Sequence, residues 1–197
     1  CWAFASVASM ESSILSQNDL KSKLGENPQD TIDLSEAGQT WYIHSGIVDK
    51  SSPFDGDYID DSSKGSNGGT SDTLAISLNS GFGTYPQSLC PYNEVKKGFS
   101  ETLRYYSDYR LKDYSEISNN KDTLKSKIVS NGAVTVYYPS ITDCYSSDYA
   151  NYYSDNTCIG IGDSHLIVVV GWDDNYSKDN FTGKVKPSYD GEKKKKN

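Results

Sequence analysis

The apolar pattern of the chain changes period once, and that change restricts the fold more than any other feature. Near the start, Ala3, Val7, Met10 and Ile14 recur at helical spacing, with Phe4, Ala8 and Leu15 widening the apolar face and serines behind it. DLSEAGQTWYIHSG predicts a second helix, with Asp33 and Glu36 as a capping box and Gly46 as the stop. A third helix follows a glycine turn, capped by Thr70 or Ser71, with Leu74, Ala75 and Leu78 as its apolar face and Gly81 after it. Beyond a polar, tyrosine-rich stretch and a short helix around Leu124 and Ile128, GAVTVYY and HLIVVVGW read as strands. The second is a continuous apolar run, expected to be buried on both sides. Helices first and strands second predict an α+β fold.

Length and charge exclude several roles. The 197 residues suffice for one substantial core or two small lobes sharing a cleft. A formal net charge of -8 argues against nucleic acid, which requires clustered Lys and Arg, and no apolar run is long enough to span a bilayer. FDGDYIDD, with Asp55, Asp57, Asp60 and Asp61, lacks the spacing of a calcium loop and reads as a solvated acidic loop. The 16 tyrosines among many Ser, Asn and Asp make a hydroxyl-rich surface of the kind extracellular proteins carry, without a visible signal peptide.

Cys1, Cys90, Cys144 and Cys158 contain no CxxC, and only His44 and His165 accompany them, so a zinc site is not expected. Cys144 and Cys158 close a short loop and form one bridge if the compartment is oxidising, leaving Cys1 and Cys90 as thiols. Cys1 stands at the start of the first helix, where free N–H groups and the positive end of the dipole favour the thiolate. By position alone it is equally a small buried apolar residue. His165 heads the buried strand and is the better placed base, while a structural histidine satisfied by one hydrogen bond is the competing reading and suits His44.

CWAFASVASMESS, DLSEAGQTWYIH, GSNGGTSDTLAISLNSGFGTYPQ, GAVTVYYPS and SHLIVVVGWDD stand in the order of the papain-like cysteine proteases, and most of the chain resembles that family. The resemblance implies a two-lobe fold with a helical N-terminal lobe at about 1–105, a β-rich C-terminal lobe at about 106–192 and the active site in the cleft. It implies a cysteine endopeptidase in which the Cys1 thiolate and protonated His165 attack a peptide carbonyl and form an acyl-enzyme. No cofactor is called for. The family's oxyanion glutamine, which lies shortly before the cysteine, is not within the sequence, so segments are expected to be missing at both ends.

GSNGG resembles the loop lining the non-primed side of the family's cleft; Gly68 and Gly69 would let an extended peptide pair with the backbone, where a bare NGG reads as an ordinary turn. Ser66 stands where many relatives carry a cysteine. The resemblance places Thr70, Ser71, Tyr137, Asp163 and Leu166 around the pocket for the second side chain before the scissile bond, with Ser164 beside them. That set is more polar than usual, and Asp163 either favours a basic or hydroxylated residue or is a solvated rim carboxylate. Asn197 falls where the family's orienting asparagine stands, but Lys193 to Lys196 precede it, so it is either that asparagine or part of a Lys-rich tail, 193–197.

The expected partners are a polypeptide substrate and the chain's own propeptide or further domains, with neither nucleic acid nor a membrane span. The expected location is extracellular or at the cell surface, as in a bacterial secreted member. Two alternatives stand beside it: an inactive papain-like surface or binding protein, and an N-terminal-nucleophile amidohydrolase using the α-amino group of Cys1, which requires a strand after the nucleophile.

Overall fold

The computed structural model describes residues 1–43, 68–79, 82–155 and 162–188. The expectations for His44, Gly46, Asp55 to Asp61, Ser66, Gly81, Cys158, Lys193 to Lys196 and Asn197 lie outside them. The chain divides into two compact units: Cys1–Val136 with Leu166–Val170, and the remainder, Tyr137–His165 with the described residues from Gly171 on.

The first unit is built on α1, Trp2–Ser16, which ends where Gln17 turns extended and donates its N–H back to Ile14 O. Its buried face is Trp2, Ala3, Ala5, Ser6, Val7 and Ile14. Phe4 is not part of it: the ring is 47% exposed and meets Tyr92 edge to face, because it lies on the side of the helix turned away from the cluster that Trp2 and Ala5 join. A helical strand-free segment after Cys1 also removes the N-terminal-nucleophile reading, which needed a strand there.

Short helices α2 (Asn18–Lys21) and α3 (Pro28–Thr31) follow, the latter begun by a proline whose missing N–H has no partner to lose in a first turn. Next come α4 (Glu36–Ile43), α5 (Ser71–Asn79) and α6 (Lys121–Asn131). The cap of α4 is Ser35, whose Oγ accepts from Gly38 N at 2.8 Å, rather than Asp33. Thr70 caps α5, its Oγ1 accepting from Thr73 N at 3.1 Å, and Leu74, Ala75 and Leu78 are buried as the periodicity requires. Asn120 caps α6 through Asp122 N and Thr123 N.

Three clusters form this unit's core. Trp2, Ala3 and Ala5 pack with Leu74, Leu78 and Leu166; Val7 and Ile14 pack with Leu34; Tyr42 and Tyr85 pack with Cys90. The buried Arg104 is neutralised by Glu101 Oε2, which accepts from both Nε and Nη2, and its Cζ lies 5.6 Å from the centre of the Tyr42 ring. The serines behind the apolar face of α1 hold the entry to the first strand: Ser9 Oγ donates to Ala133 O and Ser12 Oγ accepts from Ala133 N.

Strand β1 (Val134–Ser140) pairs with β4 (Asp163–Val169), and β2 (Tyr145–Ser146) runs antiparallel to β3 (Asn151–Tyr152). The expectation that HLIVVVGW is buried on both sides is corrected. Only Leu166 is fully buried; Ile167 is 37% and Val170 75% exposed, since each described sheet has two strands and the packed helices cover β4 on the side that takes Leu166.

The second unit has few aliphatic residues. Tyr153 and Tyr176 each pack edge-on against Phe181, Ser146 and Thr182 share a hydroxyl hydrogen bond, Asn151 Nδ2 donates to Asn180 O at 2.7 Å, and Lys184 pairs with Asp143 at 2.9 Å. Cys144 is disulfide-bonded, whereas Cys1 and Cys90 are free thiols.

Candidate active site

In the first unit, Cys1 is exposed at the N-cap position of α1, where its carbonyl accepts from Ala5 N at 2.9 Å and its side chain makes no capping bond. The thiol is therefore open to solvent at the positive end of a 15-residue helix. An exposed cysteine is unusual, since the residue type is among the most buried, and Cys90 shows the ordinary case at 0% exposure. Burial pushes the Cys90 thiol up to about 11, while a hydrogen bond with Tyr42 opposes the rise.

Trp2, directly after Cys1, lies under the glycine loop. A Cβ on Gly69 would come within 2.6 Å of the indole Cε2, so this position must be glycine for the loop to rest on the first turn of α1. Gly68 meets nothing within 4 Å. The pair thus does two different things: Gly69 seats the loop, and Gly68 presents open backbone. Thr70 is exposed, with its hydroxyl committed to the α5 cap. Beside it, Tyr114 OH donates to Asp72 Oδ1, and that bond raises the phenol's pKa.

In the second unit, His165 is half-buried on β4, its ring centre 5.7 Å from that of Tyr138 on the neighbouring β1 at an interplanar angle of 65°. Asp163 and Ser164 are exposed ahead of it, and strand alternation puts Asp163 on the same side as His165. Tyr137 is 51% exposed. Leu166, directly after His165, belongs to the first unit and is buried against Trp2, Ala3 and Leu74 rather than open to a pocket.

Thus Cys1, Gly68, Gly69 and Thr70 gather in one unit, and Tyr137, Asp163, Ser164 and His165 in the other; Asn197 lies outside the described residues. Among the described residues no cluster of His, Cys, Asp and Glu is arranged to hold a metal, and no helix is long and apolar enough to cross a membrane. Sequence reasoning passed over Tyr138 and Tyr152. The alternation of YY in β1 was the available signal, because one of two adjacent strand residues must face the neighbour of His165.

These features define a class, and the family comparison agrees. The model of the papain family cysteine proteases matches residues 1–188, and the chain belongs to that family. Its fold is α+β and papain-like: the solved structure of the cysteine protease and lectin-like domains of Cwp84, a surface layer associated protein of Clostridium difficile, superposes with a TM-score of 0.68 at 25% identity over 95% of this chain. The chain spans 37% of that protein's length. No curated protein matches it.

Proposed function

We propose that the chain is a cysteine endopeptidase in which Cys1 is the nucleophile and His165 its proton-transfer partner. The observation that carries this reading is the exposed, uncapped Cys1 thiol at the start of α1, seated through Trp2 against a loop whose Gly68 backbone is open. It is supported by the burial of Trp2 and Leu166, the residues that follow Cys1 and His165, in one cluster. In the reaction the Cys1 thiolate adds to the peptide carbonyl, the C–N bond breaks, and the imidazolium gives its proton to the leaving amine. Water, deprotonated by the neutral imidazole, then cleaves the thioester and restores the thiolate and imidazolium.

The substrate is polypeptide, since open glycine backbone pairs with an extended chain as an added strand. Asp163, exposed beside Ser164 ahead of His165 on β4, would favour a basic or hydroxylated side chain on the substrate. An extracellular or cell-surface location is supported by the disulfide at Cys144 and by the surface-layer association of the neighbouring structure. The chain's own propeptide or further domains remain proposed partners.

The test is hydrolysis of a fluorogenic peptide library by the full chain. Cys1→Ala and His165→Ala should each lower kcat/KM by about a thousandfold, the range of lost nucleophilic and general acid–base catalysis. At mildly acidic pH a limiting amount of iodoacetamide should label Cys1 and abolish activity while leaving Cys90 unmodified, and His44→Ala should leave rate and labelling intact. Labelling of Cys1 no faster than Cys90, with no hydrolysis, would instead identify a fold kept for binding.

A further inference from the structure

His165 sits at the end of a ladder of three aromatic rings. Its ring meets Tyr138 at 5.7 Å between centres and 65° between planes, and Tyr138 in turn meets Tyr152 at 4.9 Å and 74°. Tyr152 is itself anchored twice. Its backbone pairs with Tyr145 across the β2–β3 ribbon, and its hydroxyl donates to Pro139 O at 2.5 Å, the carbonyl next to Tyr138. All three rings belong to the second unit. Among the described residues no hydrogen bond to the imidazole is present, and the edge-to-face contact with Tyr138 is the ring contact it makes.

We propose that Tyr138 is a positioning residue for His165: wedged between the imidazole and the anchored Tyr152, its ring sets the plane in which His165 presents its nitrogens. An imidazole on an open strand rotates about its last side-chain bond between two broad wells, and a general acid or base must hold one of them. Edge-to-face contact selects the orientation without a polar partner, because the ring edge and face carry opposite partial charge. The role needs the ring of Tyr138 and not its hydroxyl. This assignment rests on the reading of His165 as the proton-transfer group.

Two readouts separate that reading from the positioning role. The chain has only 2 histidines, so His44→Ala assigns the imidazole resonances of His165 directly by NMR. Tyr138→Leu should move those resonances towards the positions of a free histidine as the ring-current shift is lost, and Tyr138→Phe should leave them in place. In peptide hydrolysis Tyr138→Leu should lower kcat by about tenfold with KM within about twofold, the worth of one aromatic pair expressed at the chemical step, and Phe should restore it. Should Tyr138→Leu fail to fold, Tyr152→Phe removes only the anchor on Pro139 O and should move the His165 resonances in the same direction by less. Unmoved resonances in the folded variants, or a Phe variant as impaired as Leu, overturns the proposal. A wild type with no peptidase activity defeats the endopeptidase reading alone, and the NMR comparison still decides whether Tyr138 orients the ring.

Discussion

Gly68 and Gly69 are adjacent and identical in sequence, yet they have opposite sensitivities. Gly69→Ala would drive a Cβ to 2.6 Å from the buried Trp2 indole, and denaturant unfolding should show a loss of about 1–3 kcal/mol, the range of overpacking a filled site. Because Trp2 follows Cys1, alkylation of Cys1 should slow as well. Gly68→Ala meets nothing and should change stability by less than about 0.5 kcal/mol, as surface substitutions do. If an extended substrate pairs with this backbone, KM should nonetheless rise, since the methyl occupies the face the peptide approaches. The NGG motif was legible as a candidate binding loop from sequence. Which glycine serves packing and which serves access was not, because the Trp2 contact joins residues far apart in the chain.

Among the elements, α4 shows how a local signal becomes ambiguous. DLSE offers two cap residues, and the capping-box pattern favours Asp33 with Glu36. The chain around Asp33 is taken up otherwise: its carbonyl accepts from Gln87 N at 2.9 Å, Leu34 bridges Pro86, and Ser35 N donates to Tyr85 O at 2.7 Å. That pairing turns Ser35 to the helix, where Oγ accepts from Gly38 N and donates to Cys90 O at 2.5 Å. Ser35→Ala should therefore destabilise by about 1–2 kcal/mol in denaturant unfolding, the loss of a cap plus an orphaned buried carbonyl, whereas Asp33→Ala should have a smaller effect. The helices α1, α5 and α6 were legible because their apolar periodicity lies within a few turns. The apolar run of β4 overstates its burial, because such a run says that a strand prefers cover and not how many neighbours supply it.

For the molecule as a whole, acid stability should depend on Glu11. Its Oε1 accepts from Leu34 N at 2.7 Å, tying α1 to the segment before α4. Burial raises this carboxyl's pKa, the Leu34 N–H opposes the rise, and Glu36 and Asp33 add to it. A raised folded-state pKa means that protonation favours the folded chain: the contribution is fully present below the unfolded value of 4.5 and is lost as pH rises through the folded value. Glu11→Gln keeps an acceptor for Leu34 N and removes the charge. Its denaturation midpoint should exceed that of the wild type at neutral pH, and the two should converge as pH falls below 4.5. A midpoint difference that persists unchanged in acid would show that the hydrogen bond, and not the charge, dominates.

By itself the sequence determined the family, the α+β class and the placement of a cysteine at a helix start, because five ordered motifs and helical periodicity are properties of residues close together in the chain. It also singled out His165 as the better candidate base. Tertiary structure alone decided that Gly69 must accept the Trp2 indole, that Ser35 caps α4 in place of Asp33, that Leu166 is core and not pocket, and that Tyr138 and Tyr152 stack behind His165. Each of those depends on contacts between residues distant in sequence, made when the chain packs, and the identity of the partner is set by packing geometry that no local pattern encodes.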